Sequence, residues 1–110
     1  MVTRLDASAL LVYRAAWEHD CGGKHIARAT AMAKLHASET AFAVIDEGVQ
    51  IFGGRGVLRG TVVERLFRHA RAYRIFDGTS EIQQLIIARD LLRTAGKIMR
   101  RVRELPTIPS

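Results

Sequence analysis

Apolar residues recur along this chain at three- and four-residue steps, the period of one helix face. Leu5, Ala9, Val12, Ala15, Ala16 and His19, with the small Ser8 beside them, predict a first helix over about residues 4–20 with that face inward. Asp20-Cys21-Gly22-Gly23 ends it, because glycine takes the left-handed conformation that closes a helix. The longest helix runs from about His25 to Phe52. Ala29, Met32, Ala33, His36, Ala37, Thr40, Ala41, Val44 and Gly48 step along its inward face. The alanines favour helix and let a neighbouring helix approach closely. Gly53-Gly54-Arg55-Gly56 stops it. A third helix is predicted over about 61–73, with Val62, Val63, Leu66, Phe67 and Ala70 on one side and Arg65, Arg68, His69 and Arg71 mostly on the others. Tyr73-Arg74-Ile75-Phe76 alternates and leads into Asp77-Gly78, which alone signals a strand and turn. No strand follows to pair with it, so a short extended connector is expected. A fourth helix starts at Thr79-Ser80-Glu81, where Ser80 and Gln83 have capping-box spacing. Ile82, Leu85, Ile86, Leu91, Leu92 and Ala95 form its apolar stripe to about Met99, and Pro106 and Pro109 predict a loose tail from about residue 104. The expected fold is all-α: one domain, residues 1–110, built as an up-down bundle of four helices.

Composition narrows the function classes. The chain is 48% hydrophobic and 25% charged, which suits one modest core and argues against disorder. A lone Cys21 excludes an internal disulfide framework and suits a reducing compartment. The longest apolar runs, Ala9 to Tyr13 and Ala41 to Ile45, are too short for a transmembrane helix or a signal-peptide core. A cytoplasmic protein with no membrane partner is expected. The net charge of +6 is uneven: residues 1–54 hold 5 basic and 6 acidic side chains, residues 55–110 hold 12 and 5. That balance suits a nucleic acid, a phosphate-bearing cofactor or substrate, or a plain solvated face. Arg65, Arg68 and Arg71 lack an aromatic platform, and glycine-rich breaks do not set a tight helix-turn-helix, so no nucleic-acid partner is expected.

His19, His25, His36 and His69 have no metal-ligand spacing, so no metal is expected. Gly53-Gly54-Arg55-Gly56 follows a helix rather than a strand, which excludes a Rossmann turn. Two segments remain. Gln50-Ile51-Phe52-Gly53-Gly54 offers main chain that a ligand can approach and an anion can sit on, or is a plain helix end. Phe76-Asp77-Gly78-Thr79-Ser80-Glu81-Ile82-Gln83 puts a carboxylate just ahead of a helix whose start offers N–H donors and a positive dipole end. There Asp77 is either a base poised over a substrate or a residue that turns the chain.

Together these segments carry a resemblance. Val49 to Gly56 (V-Q-I-F-G-G-R-G), Val63 to Arg65 (V-E-R), Arg74 to Gln83 (R-I-F-D-G-T-S-E-I-Q) and Ile87 to Arg89 (I-A-R), in that order and spacing, resemble the C-terminal domain of the acyl-CoA dehydrogenase family. Ala31 to Glu39 is similar to that family's long helix, and the likeness covers roughly residues 5–93.

The resemblance implies a flavoenzyme that desaturates acyl-CoA thioesters, a carboxylate taking the α proton while hydride leaves the β carbon for FAD. Asp77 stands where the family usually has its Glu base, Gly78 would lie against the thioester, and Thr79, Ser80 and Glu81 would contact FAD. Gln50, Ile51, Phe52, Gly53 and Gly54 would touch the FAD of a neighbouring subunit, which implies an oligomer, and an electron-accepting flavoprotein would take the electrons on. The chain departs from the family pattern in its shorter base, in Gln84 after the I-Q pair and in His69 after V-E-R-x-x-R. The resemblance also implies that the flavin-holding domains and the bundle's first helix, where some members keep their base, lie outside these residues. A lone chain of this length does not enclose FAD and acyl-CoA, so its apolar faces are expected to be partly uncovered. A non-catalytic module that only mediates oligomerisation is the alternative.

Overall fold

The computed structural model describes residues 1–103, so the tail expected from about residue 104 lies outside the described residues. Four helices form: α1 (Val2–Asp20), α2 (Ile26–Phe52), α3 (Val62–Tyr73) and α4 (Ser80–Arg103), with a 3-10 turn at Gly53–Val57 between α2 and α3. No strand occurs among the described residues. Each boundary has a local cause. Gly22 takes φ +64° after α1, and the Gly23 amide reaches back to the Glu18 carbonyl at 2.7 Å. Gly53 takes φ +56° and closes α2 on the Gln50 carbonyl. Thr61 caps α3 by accepting the Glu64 amide.

α2 is the hub. Among the described residues α1, α3 and α4 each pack on α2 and not on one another. All three run antiparallel to it. Arg4 pairs with Glu47 and Ser8 with His36; Phe67 stacks on Phe42 while the Tyr73 carbonyl reaches Lys34; Ser80 meets Glu39 while Asp90 meets His25. α3 therefore covers the later half of α2 and α4 the earlier half, end to end. The loop between them is pressed against the middle of α2. The molecule is long, 73 × 27 × 25 Å with a radius of gyration of 19.9 Å, where a globular chain of this length would have about 13 Å.

α1 docks through one edge of the face its pattern predicts: of the residues set there only Ser8 and Ala15 turn inward. Ser8 is buried and Leu11, Ala15 and Glu18 are half-buried, whereas Leu5, Ala9, Val12, Ala16 and His19 are exposed. The used stripe is centred about 100° round the helix from the predicted one. α1 carries apolar residues on several sides, so the count of apolar positions does not choose among them. A hydrogen bond and small side chains do: the Ser8 hydroxyl donates to the Arg4 carbonyl and sits 3.0 Å from His36 Nδ1. On α2 the predicted Ala29, Ala33 and Thr40 are buried, and Ala31 and Ser38 on its other sides are buried as well, because partners arrive from more than one direction. Among the described residues the buried apolar ones are Ala29, Ala31, Ala33 and Ala70, with no large side chain fully enclosed.

Candidate functional site

The chain leaves α3 by a tight turn, not the extended connector its alternation suggests. The amides of Ile75 and Phe76 both bond back to the Ala72 carbonyl, at 2.9 and 3.2 Å. Side chains favour the fold-back: Tyr73 and Phe76 meet edge to face at 5.5 Å, and the Arg74 guanidinium lies 5.1 Å from the centre of the Phe42 ring. Asp77 follows at φ +55° and Gly78 at φ +87°. Asp77 is the one non-glycine residue with positive φ among the described residues, a conformation Asp tolerates better than most side chains. At Gly78 the positive φ favours glycine, and a Cβ would stand 2.6 Å from Gln83 Nε2, so any side chain would have to push that amide aside.

α2 and α4 fix this loop. Lys34 Nζ donates to the carbonyls of Tyr73 at 2.9 Å and Gly78 at 2.7 Å. Gln83 Nε2 donates to the carbonyls of Asp77 at 3.1 Å and Gly78 at 3.4 Å. Glu39 Oε1 accepts from the Ser80 hydroxyl at 2.6 Å and from Arg74 Nε at 2.9 Å. The Ser80 hydroxyl holds the Glu39 carboxyl below its ordinary range against the cost of partial burial, with Arg74 and Lys34 adding to the effect. Among the described residues no hydrogen bond or ion pair reaches the Asp77 carboxylate, and Asp77 is exposed. It lines an open, mostly apolar pocket of about 370 Å³ with Lys34, Ala37, Ser38, Ala41, Tyr73 and Phe76.

At the start of α4 the roles differ from those predicted. Thr79, not Ser80, caps the helix by accepting the Ile82 amide at 3.3 Å. Ser80 is buried and its hydroxyl faces Glu39. Most of the expected free N–H donors are occupied: the Ser80 amide bonds the Arg74 carbonyl at 3.1 Å, the Ile82 amide the Thr79 hydroxyl, and the Gln83 amide the Thr79 carbonyl at 3.0 Å. Its own amide and the Thr79 hydroxyl hold the Glu81 carboxyl below its ordinary range. Beside these residues a recess of about 100 Å³ is lined by Arg71, Arg74, Ile75, Thr79, Ser80 and Glu81.

Gln50, Ile51, Phe52, Gly53 and Gly54 are all exposed, Ile51 by 74%. A Cβ on Gly53 or Gly54 would meet nothing within 4 Å, so the main chain there is open to a large ligand. Gly56 differs: it is buried, and a Cβ would come 2.6 Å from the Val49 carbonyl. Along α2 this segment lies roughly 15–20 Å from the Asp77 pocket at 1.5 Å per residue. Asp77, Gly78, Thr79, Ser80 and Glu81 therefore form one site and Gln50 to Gly54 another. The open glycine main chain and the arginine-lined recess suit a dinucleotide such as FAD, whose pyrophosphate is anionic.

Sequence reasoning missed the residues that hold the loop: Lys34, Glu39, Arg74 and Gln83. A signal existed for two of them. Between Arg28 and Asp46 only Lys34 and Glu39 are charged, five residues apart in an otherwise small and apolar stretch.

A long helix with an acidic positive-φ loop packed against it and an open glycine pair at its end defines a helical domain with two exposed loops. Residues 1–92 match the family model for the acyl-CoA dehydrogenase C-terminal domain, and the chain belongs to that family. It is 45% identical over 94 residues to the mitochondrial short-chain specific acyl-CoA dehydrogenase of Rattus norvegicus, covering 86% of this chain and 23% of that protein. It is 41% identical over 93 residues to subunit CarC of the caffeyl-CoA reductase-Etf complex of Acetobacterium woodii, covering 84% of this chain and 24% of that one. A solved FAD complex of PigA superposes with a TM-score of 0.77 at 38% identity, over 83% of this chain and 24% of that one. The chain spans about a quarter of the length of the curated relatives it matches. No helix among the described residues is long and apolar enough to cross a membrane.

Proposed function

We propose that this chain supplies the catalytic carboxylate and part of the FAD contact surface for α,β-desaturation of an acyl-CoA thioester. The observation that carries the reading is Asp77, an unpaired carboxylate on a backbone held from two helices and bordering an apolar pocket. Asp77 takes the α proton. Gly78 lets the thioester approach the loop. Aliphatic and aromatic walls from Ala37, Ala41, Tyr73 and Phe76 shelter the acyl carbons beside the base. FAD, when bound, accepts the β hydride. Thr79 and Glu81, with the main chain of Ser80, face the cofactor on one side. Gln50, Ile51, Phe52, Gly53 and Gly54 face the FAD of a neighbouring subunit. The electrons then pass to a flavoprotein acceptor; that a relative, CarC, is a subunit of a caffeyl-CoA reductase-Etf complex supports an electron-transfer partner for this fold.

The test is co-expression with the flavin-holding domains of a relative. The expected outcome is retained FAD and measurable turnover, with Asp77→Asn abolishing turnover while the flavin stays bound. Full activity in the Asn variant would refute the assigned base. The uncovered apolar surface favours a second reading, a helical module that serves assembly alone. Unchanged FAD retention after Gly53→Val with Thr79→Val would support it.

A further inference from the structure

We propose that Lys34 is a positioning residue for Asp77. From the first half of α2 its ammonium cross-links the carbonyls of Tyr73 and Gly78, which bracket the loop, at 2.9 and 2.7 Å. This inference rests on the reading of Asp77 as the base. Three features carry it. First, the Tyr73 carbonyl is at the last residue of α3, where carbonyls lack helical partners and the dipole end is negative, so a cation is stabilising there. Second, the Gly78 carbonyl belongs to the peptide that follows Gly78, so Lys34 anchors the far side of the Asp77-Gly78 turn while Gln83 holds the Asp77 carbonyl between them. Holding that far side keeps Asp77 and Gly78 in their left-handed conformations, which neither residue's own preferences would maintain for Asp77. Third, Lys34 and Asp77 line the same pocket, yet no ion pair joins them. The ammonium is directed to the backbone, and the carboxylate stays free. A lysine paired with that carboxylate would instead stabilise its charge and weaken it as a base. Gln83 supports the same peptide from α4, more distantly for Gly78 at 3.4 Å.

Lys34→Met keeps the apolar stem and removes the donors. In the 110-residue chain the first readouts are the Asp77 backbone φ by NMR scalar coupling and the exchange of the Ser80 amide, which bonds across the loop to the Arg74 carbonyl. The expected result is loss of the left-handed signature at Asp77 and exchange about tenfold faster at Ser80, with Ala29 to Ala33 unchanged. In the assembly with flavin-holding domains, kcat falls by about 10–100-fold, as a displacement near 1 Å predicts, while KM and FAD retention hold within about twofold. Lys34→Arg, which restores two donors, recovers most of kcat. Wild-type coupling and exchange in Lys34→Met overturn the proposal, as does an opened loop with undiminished kcat. If Lys34→Met does not fold, Lys34→Gln is read by the same measurements. Should Asp77→Asn keep full turnover, the assigned base fails, while the coupling and exchange data still judge the loop.

Discussion

At the scale of single residues, Gly78 is the position where sequence and backbone constrain each other most tightly. Its φ of +87° is a region that L side chains rarely enter, and a Cβ there would displace the Gln83 amide that holds the Asp77 and Gly78 carbonyls. Gly78→Ala is therefore expected to cost about 1–2 kcal/mol from backbone strain alone. If Asp77 is the base as proposed, it should cost the assembled enzyme more activity than stability, because the displaced amide is one of the two supports of the Asp77-Gly78 backbone. Denaturant unfolding of the chain and turnover of the assembly measure the two effects; equal, small losses in both would contradict the argument. Asp77 faces the opposite question, since the family resemblance implies a Glu in its place. Asp77→Glu extends the carboxylate by about 1.5 Å. If the pocket beside Tyr73 and Phe76 is fitted to the shorter acid, kcat drops; if the loop merely tolerates it, kcat rises. Lys34 shows how much of this was legible beforehand. An isolated charge on a small-residue helix face marks it as unusual, but its partners are carbonyls of residues 39 and 44 positions away, and main-chain acceptors leave no trace in a sequence.

At the scale of helices, the fit between pattern and structure depends on how many neighbours an element has. α3 lies where its periodicity places it, from Val62 to Tyr73, because one face meets one partner and Thr61 supplies a ready cap. α1 also forms as predicted, yet docks through Ser8 and Leu11, since its apolar residues serve more surfaces than α2 alone offers. The link between α2 and α4 was invisible for another reason: it is polar. Asp90, 7% exposed, accepts from His25 at 2.9 Å and Arg93 at 2.9 Å and pairs with Arg28 at 3.2 Å. Burial pushes the Asp90 carboxyl up, but Arg93, His25 and Arg28 together hold it below its ordinary range. The folded state therefore binds fewer protons than the unfolded chain just below the usual carboxylate pKa of about 4. This contribution is fully present above that pH and is lost as pH falls through the lowered value. Glu39, depressed chiefly by Ser80, acts in the same direction at the loop. Acid titration of helical content should thus show a loss below about pH 4 that is shallower in Asp90→Asn, a variant already less stable at pH 7 because Arg28 and Arg93 lose their counter-charge. An unchanged acid profile would assign the acid sensitivity elsewhere.

The whole molecule is a set of helices with little interior. Among the described residues the enclosed apolar ones are alanines, while Leu10, Tyr13 and Trp17 lie exposed three and four residues apart on one face of α1, and Ile51, Phe52, Val57 and Leu58 lie exposed around the glycine turn. Burial of a large side chain is worth about 1.5–3 kcal/mol, so this much uncovered surface is a strong drive to associate. It also explains why composition alone suggested an ordinary globular core: the apolar residues are present in the usual number but face outward. Trp17 makes the consequence measurable, being the chain's one tryptophan and 64% exposed. In dilute solution its emission should be that of a solvated indole, and it should shift to the blue as concentration rises or as the flavin-holding domains of a relative are added. Leu10→Lys with Trp17→Lys should lower the sedimentation-derived mass of the associated species without changing helical content, since neither side chain supports the fold within the chain. If the wild-type chain stays monomeric at every concentration and ignores those domains, the exposed face is not an interface. If instead the double variant loses its helices, α1 depends on contacts that its exposure does not show.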